Sequence, residues 1–309
     1  MNQKQFAIIG GGSWGTAIAS MISRAWFDVL IYTNDHSVAD EINTKHTNGA
    51  YLDDIDLGDK ISATTNLVDL LRYKIIIIAT PSHVFENIIT QLKELNISKS
   101  AILLIATKGL CQSPIQLFSQ KIEQCMINEY GFISGPNFAK EVAQGSFSSI
   151  TITSKNIALA GNISKMLISK NLDIVVSDDI ITIQIAGIVK NIIAIKSGIL
   201  QAQGAGQNAR AWLISQGLRE ISIISNKLGG QYQSLYLPAV VGDLVLTSYS
   251  IISRNAKFGF DFHNSNYSKS FLTNYPVLVE GIQSAKLLSK FVQDYNLDLP
   301  IIFSIAALV

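Results

Sequence analysis

Lys190 and Asn191 stand side by side in a run, residues 180–200, made mostly of Ile, Val, Ala and Gly. An ammonium in apolar surroundings loses its proton more readily than one in water, which moves a lysine towards the range useful for proton transfer. On a helix Gly187 lies one turn before Lys190 and Ala194 one turn after it. Small residues then flank the ammonium and leave room for a small ligand. The competing reading is a lysine that buries its stem and extends its charge to water. The adjacent asparagine and the small neighbours favour chemistry.

Other reactive side chains sit beside turn-forming residues. Lys108, in Ala106-Thr107-Lys108-Gly109, follows a run of strand length, and in open α/β sheets ligands gather beyond the carboxyl ends of strands. Ser134-Gly135-Pro136-Asn137 follows another strand; Gly-Pro fixes a turn, and Asn137 either caps the next helix or contacts a ligand. Asp243, next to Gly242, could orient Lys190 or accept from a hydroxyl. In Ser253-Arg254-Asn255 the guanidinium is a fork of donors suited to a phosphate, with two neutral donors beside it.

A glycine turn opens the chain. Gly10-Gly11-Gly12-Ser13-Trp14-Gly15-Thr16-Ala17 fits G-x-G-x-x-G-x-A between a strand-like run and a helical pattern. Gly10 permits the tight turn, Gly12 lets backbone approach a pyrophosphate, and Gly15 allows close helix–strand packing. The anion then rests on the helix N-terminus. This context predicts a dinucleotide site. Asp35, 20 residues after Gly15, is placed to accept from ribose hydroxyls, which favours NAD. The alternative for Thr33-Asn34-Asp35 is a solvated turn. No Arg or Lys lies in residues 29–38 to hold a 2′-phosphate.

The elements that must position these residues follow from hydrophobic pattern. Residues 6–9, 29–32, 75–79, 101–106, 148–153 and 174–177 read as strands, and 16–24, 84–95 and 115–126 as helices. Ile-rich strands without polar alternation are typical of a sheet covered on both faces. Residues 1–179 are therefore expected to form a doubly wound, largely parallel α/β domain. Long helical patterns at 181–202, 211–228 and 279–295 make residues 180–309 an all-helical domain.

Composition narrows the function class. The 309 residues suit two domains. Hydrophobic residues make up 48%, charged residues 15%, and mean hydropathy is +0.29, so a membrane span needs testing. Gln184, Lys190, Asn191 and Lys196 interrupt the longest apolar run, which reads as a buried helix. A strand expected within about five residues of Met1 leaves no room for a leader peptide. With 24 basic and 23 acidic residues the charge is +1, without the footprint of a nucleic-acid binder. Cys111 and Cys125 lack CxxC spacing and fit a reducing compartment. The four histidines lack ligand spacing, and no metal site is expected.

Taken in order, GGGSWGTA, ATKG, SGPNFAKE, GIVKNIIAIKSG, NARAWLISQGL, GDLVLT, SRNAKFG and LVEGIQSAK resemble the NAD(P)-dependent glycerol-3-phosphate dehydrogenase family of the bacterial type, from residue 6 to about residue 300. The resemblance implies a Rossmann domain followed by an all-α domain of the 6-phosphogluconate dehydrogenase-like kind. It implies interconversion of sn-glycerol 3-phosphate and dihydroxyacetone phosphate with NAD or NADP, for glycerophospholipid synthesis, in a cytoplasmic homodimer. Lys190 matches the family's proton acceptor. Lys108, Gly135, Asn137, Asp243, Ser253, Arg254 and Asn255 match substrate positions. Beside the turn glycines, Ser13, Trp14, Asn34, Lys108, Ala139, Arg254, Leu278 and Glu280 match cofactor positions. Two departures stand out: Leu237-Pro238-Ala239-Val240-Val241 is bulky where the family is glycine-rich, and Asn34 replaces a residue often basic in bacterial enzymes. The nearest alternative by this reading is a two-domain dehydrogenase of a small hydroxy acid, such as the ketopantoate-reducing type. A non-catalytic nucleotide sensor is the alternative of another class.

Overall fold

The computed structural model describes residues 4–250 and 252–309. The chain forms two compact units, one holding residues up to Thr107 with Ser119–Asp178, the other Lys108–Phe118 with Asp179–Val309.

The first unit follows from its Ile-rich runs. Its strands are β1 (Lys4–Ile9), β2 (Val29–Tyr32), β3 (Ile61–Thr64), β4 (Tyr73–Ile78) and β5 (Ile102–Ile105). Between them lie helices α1 (Ser13–Arg24), α2 (His36–Lys45) and α3 (Phe85–Glu94). A hairpin, β6 (Leu110–Gln112) with β7 (Ile115–Leu117), interrupts the series and clusters with the second unit. The first unit then resumes with α4 (Phe118–Cys125), β8 (Tyr130–Ser134), α5 (Ala139–Gln144), β9 (Ser148–Thr153), α6 (Ile157–Met166) and β10 (Leu172–Ser177).

The eight strands are ordered β10-β9-β8-β5-β4-β1-β2-β3. All neighbours are parallel except β8 with β9, where Phe132 faces Thr153 in an antiparallel register. Ile75 to Ile78 are buried on both faces, as a sheet covered by helices requires. The sequence reading differs at residues 115–126, taken as one helix. Residues 115–117 pair in β7 instead, and the helix starts only at Phe118. It also differs at residues 108–118, assigned by sequence to the first domain: β6 and β7 pack on a helix of the second unit, Glu280–Phe291.

That unit is built on α7 (Ile180–Ala202), followed by α8 (Gln207–Lys227), α9 (Asp243–Tyr249), α10 (Arg254–Asn264), α11 (Lys269–Asn274), α12 (Glu280–Phe291) and α13 (Pro300–Leu308). Asp179 starts α7 by accepting from the N–H groups of Ile181 and Thr182. Among the described residues α7 is the one helix long and apolar enough to cross a membrane. Here 83% of its most apolar window is buried, with α8, α9, α10, α12 and α13 all packed against it. α10 approaches closest. A Cβ at Gly198 of α7 would lie 1.9 Å from the carbonyl of Ala256, and one at Gly259 of α10 would lie 2.0 Å from that of Ile195.

This crossing predicts opposite outcomes for two helical glycines. Gly198→Ala should cost about 3 kcal/mol or more, because backbone on both helices must move. Gly161→Ala in α6 meets nothing within 4 Å and should stabilise by up to about 1 kcal/mol. Urea denaturation of both variants checks the pair; equal effects would show that the crossing is not this tight.

Candidate active site

In the first unit the glycine turn links β1 to α1. Gly10 has φ +124°, and a Cβ there would lie 2.6 Å from the carbonyl oxygen of Ala79. A Cβ on Gly15 would lie 1.9 Å from Gly10 O, so the helix can approach only without one. Gly12 faces open space, with nothing within 4 Å of a Cβ. No side chain caps α1, which leaves its first N–H groups for an anion. A cavity of about 390 Å³ opens here, lined among others by Gly10, Gly12, Asn34, Tyr51 and Thr80. Its size, bare amides and the open side of Gly12 fit a dinucleotide. No lysine or arginine is among its lining residues.

The neighbouring residues are sorted by the structure. Asn34 lines the cavity, whereas Asp35 does not. Asp35 is the N-cap of α2, accepting from Ser37 and Val38 N–H and the Ser37 hydroxyl. Those hydrogen bonds hold its carboxyl below the usual range. The ribose role expected for Asp35 therefore gives way to a capping role. Ser13 Oγ donates to Tyr51 O, and the Trp14 indole N–H is buried without a partner among the described residues. Asn137 does not cap α5: Phe138 is the N-cap residue, and the Asn137 amide donates to Ser149 O at 3.3 Å. Its Oδ1 is buried, without a partner among the described residues, and 2.7 Å from where a Cβ on Gly135 would be. Ala139 is the first residue of α5.

The second unit gathers the charged residues. Lys190 Nζ lies 2.6 Å from Asp243 Oδ1, and Lys108 Nζ lies 2.6 Å from Asp243 Oδ2. Thr247 closes the group: its hydroxyl accepts from Lys190 and donates to Asp243, both at 3.1 Å. The Asp243 side chain is 1% exposed and that of Lys190 12%. The bulky stretch before Asp243 explains its placement. Residues Pro238–Gly242 form one wide π-helical turn that feeds directly into α9, making Asp243 its first residue. Gly187 serves differently from the sequence expectation. The Lys108 stem fills the space above it, with Cγ 3.3 Å from a Cβ placed there, so the gap takes a second lysine rather than a ligand.

Burial, opposed by the Asp243 charge and reinforced by that of Lys108, brings the Lys190 ammonium down to about 7. Burial raises the Asp243 carboxyl, but the charges of Lys108 and Lys190 outweigh that and hold it below its ordinary value. Three charged groups thus share two hydrogen-bonded contacts. Proton loss from Lys190 leaves a balanced Lys108–Asp243 pair.

Around this cluster, Asn191 Oδ1 accepts from the Asn255 amide at 3.0 Å, and Asn255 Oδ1 accepts from Gly281 N–H. The Asn255 side chain is therefore committed to tying α7, α10 and α12 together. Ser253 is the N-cap of α10. Arg254 follows it, exposed, and its guanidinium makes no hydrogen bond or ion pair among the described residues. Leu278 is 47% exposed, and Glu280 begins α12. Sequence reasoning missed Thr247; its i+4 spacing from Asp243 on a helix was the available signal.

Two family profiles cover nearly the whole chain. NAD-dependent glycerol-3-phosphate dehydrogenase N-terminus matches residues 5–160, and the C-terminus of the same family matches residues 179–309. The chain belongs to this dehydrogenase family. The glycerol-3-phosphate dehydrogenase [NAD(P)+] of Rickettsia prowazekii is 44% identical over 310 residues, covering 99% of this chain and 98% of that one. A crystal structure of glycerol-3-phosphate dehydrogenase from Coxiella burnetii superposes with a TM-score of 0.91 at 29% identity, covering 98% of this chain and 93% of that one. The Plasmodium falciparum enzyme shares the fold, with a TM-score of 0.88 at 23% identity over 98% and 90% of the two chains. The dehydrogenase is accordingly an NAD(P)-dependent oxidoreductase with a Rossmann-like N-terminal domain followed by an all-helical C-terminal domain.

Because the Thr247 hydroxyl serves two charged groups, Thr247→Val should lower stability by about 1.5 kcal/mol with the fold unchanged. Urea denaturation with circular dichroism measures it; an unchanged midpoint would remove Thr247 from the cluster.

Proposed function

We propose that this chain interconverts sn-glycerol 3-phosphate and dihydroxyacetone phosphate with NAD(P), and that Lys190 is its proton-transfer group. The observation that carries the proposal is the buried Lys190–Asp243–Lys108 cluster, in which the deeper lysine is driven towards neutrality at physiological pH. Neutral Lys190 takes the proton from the C2 hydroxyl in oxidation; its ammonium returns one to the C2 oxygen in reduction. Lys108, hydrogen-bonded to Asp243, polarises the same oxygen. Arg254, exposed at the start of α10 and unpaired among the described residues, supplies the charge for the phosphate, with the Ser253 and Asn255 positions beside it.

Within the first unit, the residues that would hold the cofactor are the Gly10–Gly15 turn, Ser13, Trp14, Asn34 and Ala139. The nicotinamide supplies the redox chemistry. The absence of lysine and arginine from the turn's cavity supports NADH being used at least as well as NADPH. In the first unit, the substrate role that the resemblance gives Gly135 and Asn137 is supported by the Asn137 Oδ1, buried and without a partner among the described residues. The family assignment supports a homodimer in the cytoplasm that supplies the glycerophospholipid backbone. A guanidinium pairs with phosphate and carboxylate alike, so the family match is what favours the phosphate ester over a ketopantoate-type substrate.

The sign of the pH dependence follows from Lys190. Glycerol 3-phosphate oxidation should rise as pH passes upward through about 7, and dihydroxyacetone phosphate reduction should fall over the same range. Lys190→Met should lower kcat for reduction roughly a hundredfold or more while NADH binding, read by fluorescence, stays unchanged. Retention of more than about a tenth of kcat would remove Lys190 from the mechanism. Turnover of ketopantoate equal to that of dihydroxyacetone phosphate would overturn the substrate assignment.

A further inference from the structure

Asn48 is fully buried, and neither its position nor its type belongs to the glycine turn. Both hydrogens of its amide are nonetheless spent there. Nδ2 donates to Gly11 O at 2.9 Å and to Thr16 Oγ1 at 2.8 Å. Thr16 in turn orients its hydroxyl towards Gly11 O at 3.5 Å, and its N–H bonds to Gly12 O. A second tie runs from the same loop, where Tyr51 O accepts from Ser13 Oγ. The segment carrying Asn48 is itself closed by the Leu52 N–H bonding to Asn48 O at 2.8 Å.

The consequence lies in the geometry of one peptide. In a planar trans peptide the C=O and the following N–H point in opposite directions. Fixing Gly11 O on Asn48 therefore fixes the Gly12 N–H on the opposite side. That N–H makes no hydrogen bond among the described residues, and Gly12 borders open space in the cavity. A glycine at position 11 lacks the side-chain contacts that would otherwise hold this peptide plane.

We infer that Asn48 is a positioning residue for the dinucleotide, holding the Gly11–Gly12 peptide so that the Gly12 N–H is aimed at the pyrophosphate before the cofactor arrives. The inference rests on the dinucleotide reading of the turn and adds a residue to it. Preorganising a donor removes an ordering cost from binding, so the effect belongs in affinity rather than in the chemical step.

The test uses the full-length protein and three probes, NADH, ADP-ribose and adenosine, with binding followed by fluorescence or calorimetry. Asn48→Leu keeps the approximate size and removes both donors. It should weaken NADH and ADP-ribose about tenfold or more and by similar factors, leave adenosine within twofold, and leave kcat at saturating NADH within about threefold. A second variant covers the case in which this one does not fold. Asn48→Asp loses both donors when ionised and regains one when its carboxyl is protonated, so its ADP-ribose affinity should recover as pH falls, unlike the wild type's. Unchanged ADP-ribose affinity in a folded variant, equal loss of adenosine, or no recovery at low pH in Asn48→Asp would overturn the inference. Failure of the wild type to bind NADH at all would instead overturn the dinucleotide reading itself.

Discussion

One buried carboxylate answering two ammonium groups is the constraint around which the helical unit is arranged. Asp243 has a lysine at 2.6 Å on each oxygen and almost no access to water. A carboxylate balances one positive charge, and burial penalises every charge left over. The lower-cost way to relieve the excess is for one lysine to release its proton, and the deeper Lys190 is the one that burial disfavours most. The same cluster explains why its carboxyl stays ionised in a site that would otherwise raise it. Removing Asp243 or Lys108 alters the balance that sets the Lys190 charge.

Holding three such groups together requires rigid elements from separate parts of the sequence. Lys190 rides on α7, which is enclosed by five other helices and crossed by α10 at backbone contact. Asp243 is delivered by a wide turn that ends where α9 begins, and Thr247 stands one turn further along. Lys108 comes from the segment ahead of the β6–β7 hairpin, and its stem lies on Gly187. Asn255 ties the same helix to the start of α12 through Asn191 and Gly281. The bulky Pro238–Gly242 stretch forms a wide helical turn rather than an extended loop.

Much of this was legible in the sequence, and the failures have two physical causes. Runs such as residues 75–78 declare themselves because burial on both faces demands Ile or Val at every position. β3 hides because its alternation spans only four residues, and residues 115–117 hide because a short hairpin strand has the same composition as a first helical turn. The glycine turn and Lys190 are local signals, readable from spacing and surroundings. Asp35, Asn137, Gly187 and Asn48 are different: each role depends on a partner chosen by the fold. Asp35 meets helix amides, Asn137 meets the Ser149 carbonyl, Gly187 meets Lys108, and Asn48 meets a carbonyl 37 residues away. Residue type set what each could do, and tertiary distance decided which of those it does.

The charge state of Lys190 is the centre of the account and can be observed directly. Lysine side chains labelled for NMR allow its titration to be followed in the wild type and in Lys108→Met. The account predicts a Lys190 pKa near about 7 in the wild type, because burial and the Lys108 charge both act against its ammonium. In Lys108→Met it should rise, since the competing charge is gone while Asp243 stays. An ordinary lysine value in both proteins would contradict the claim that the shared carboxylate leaves Lys190 ready to give up its proton.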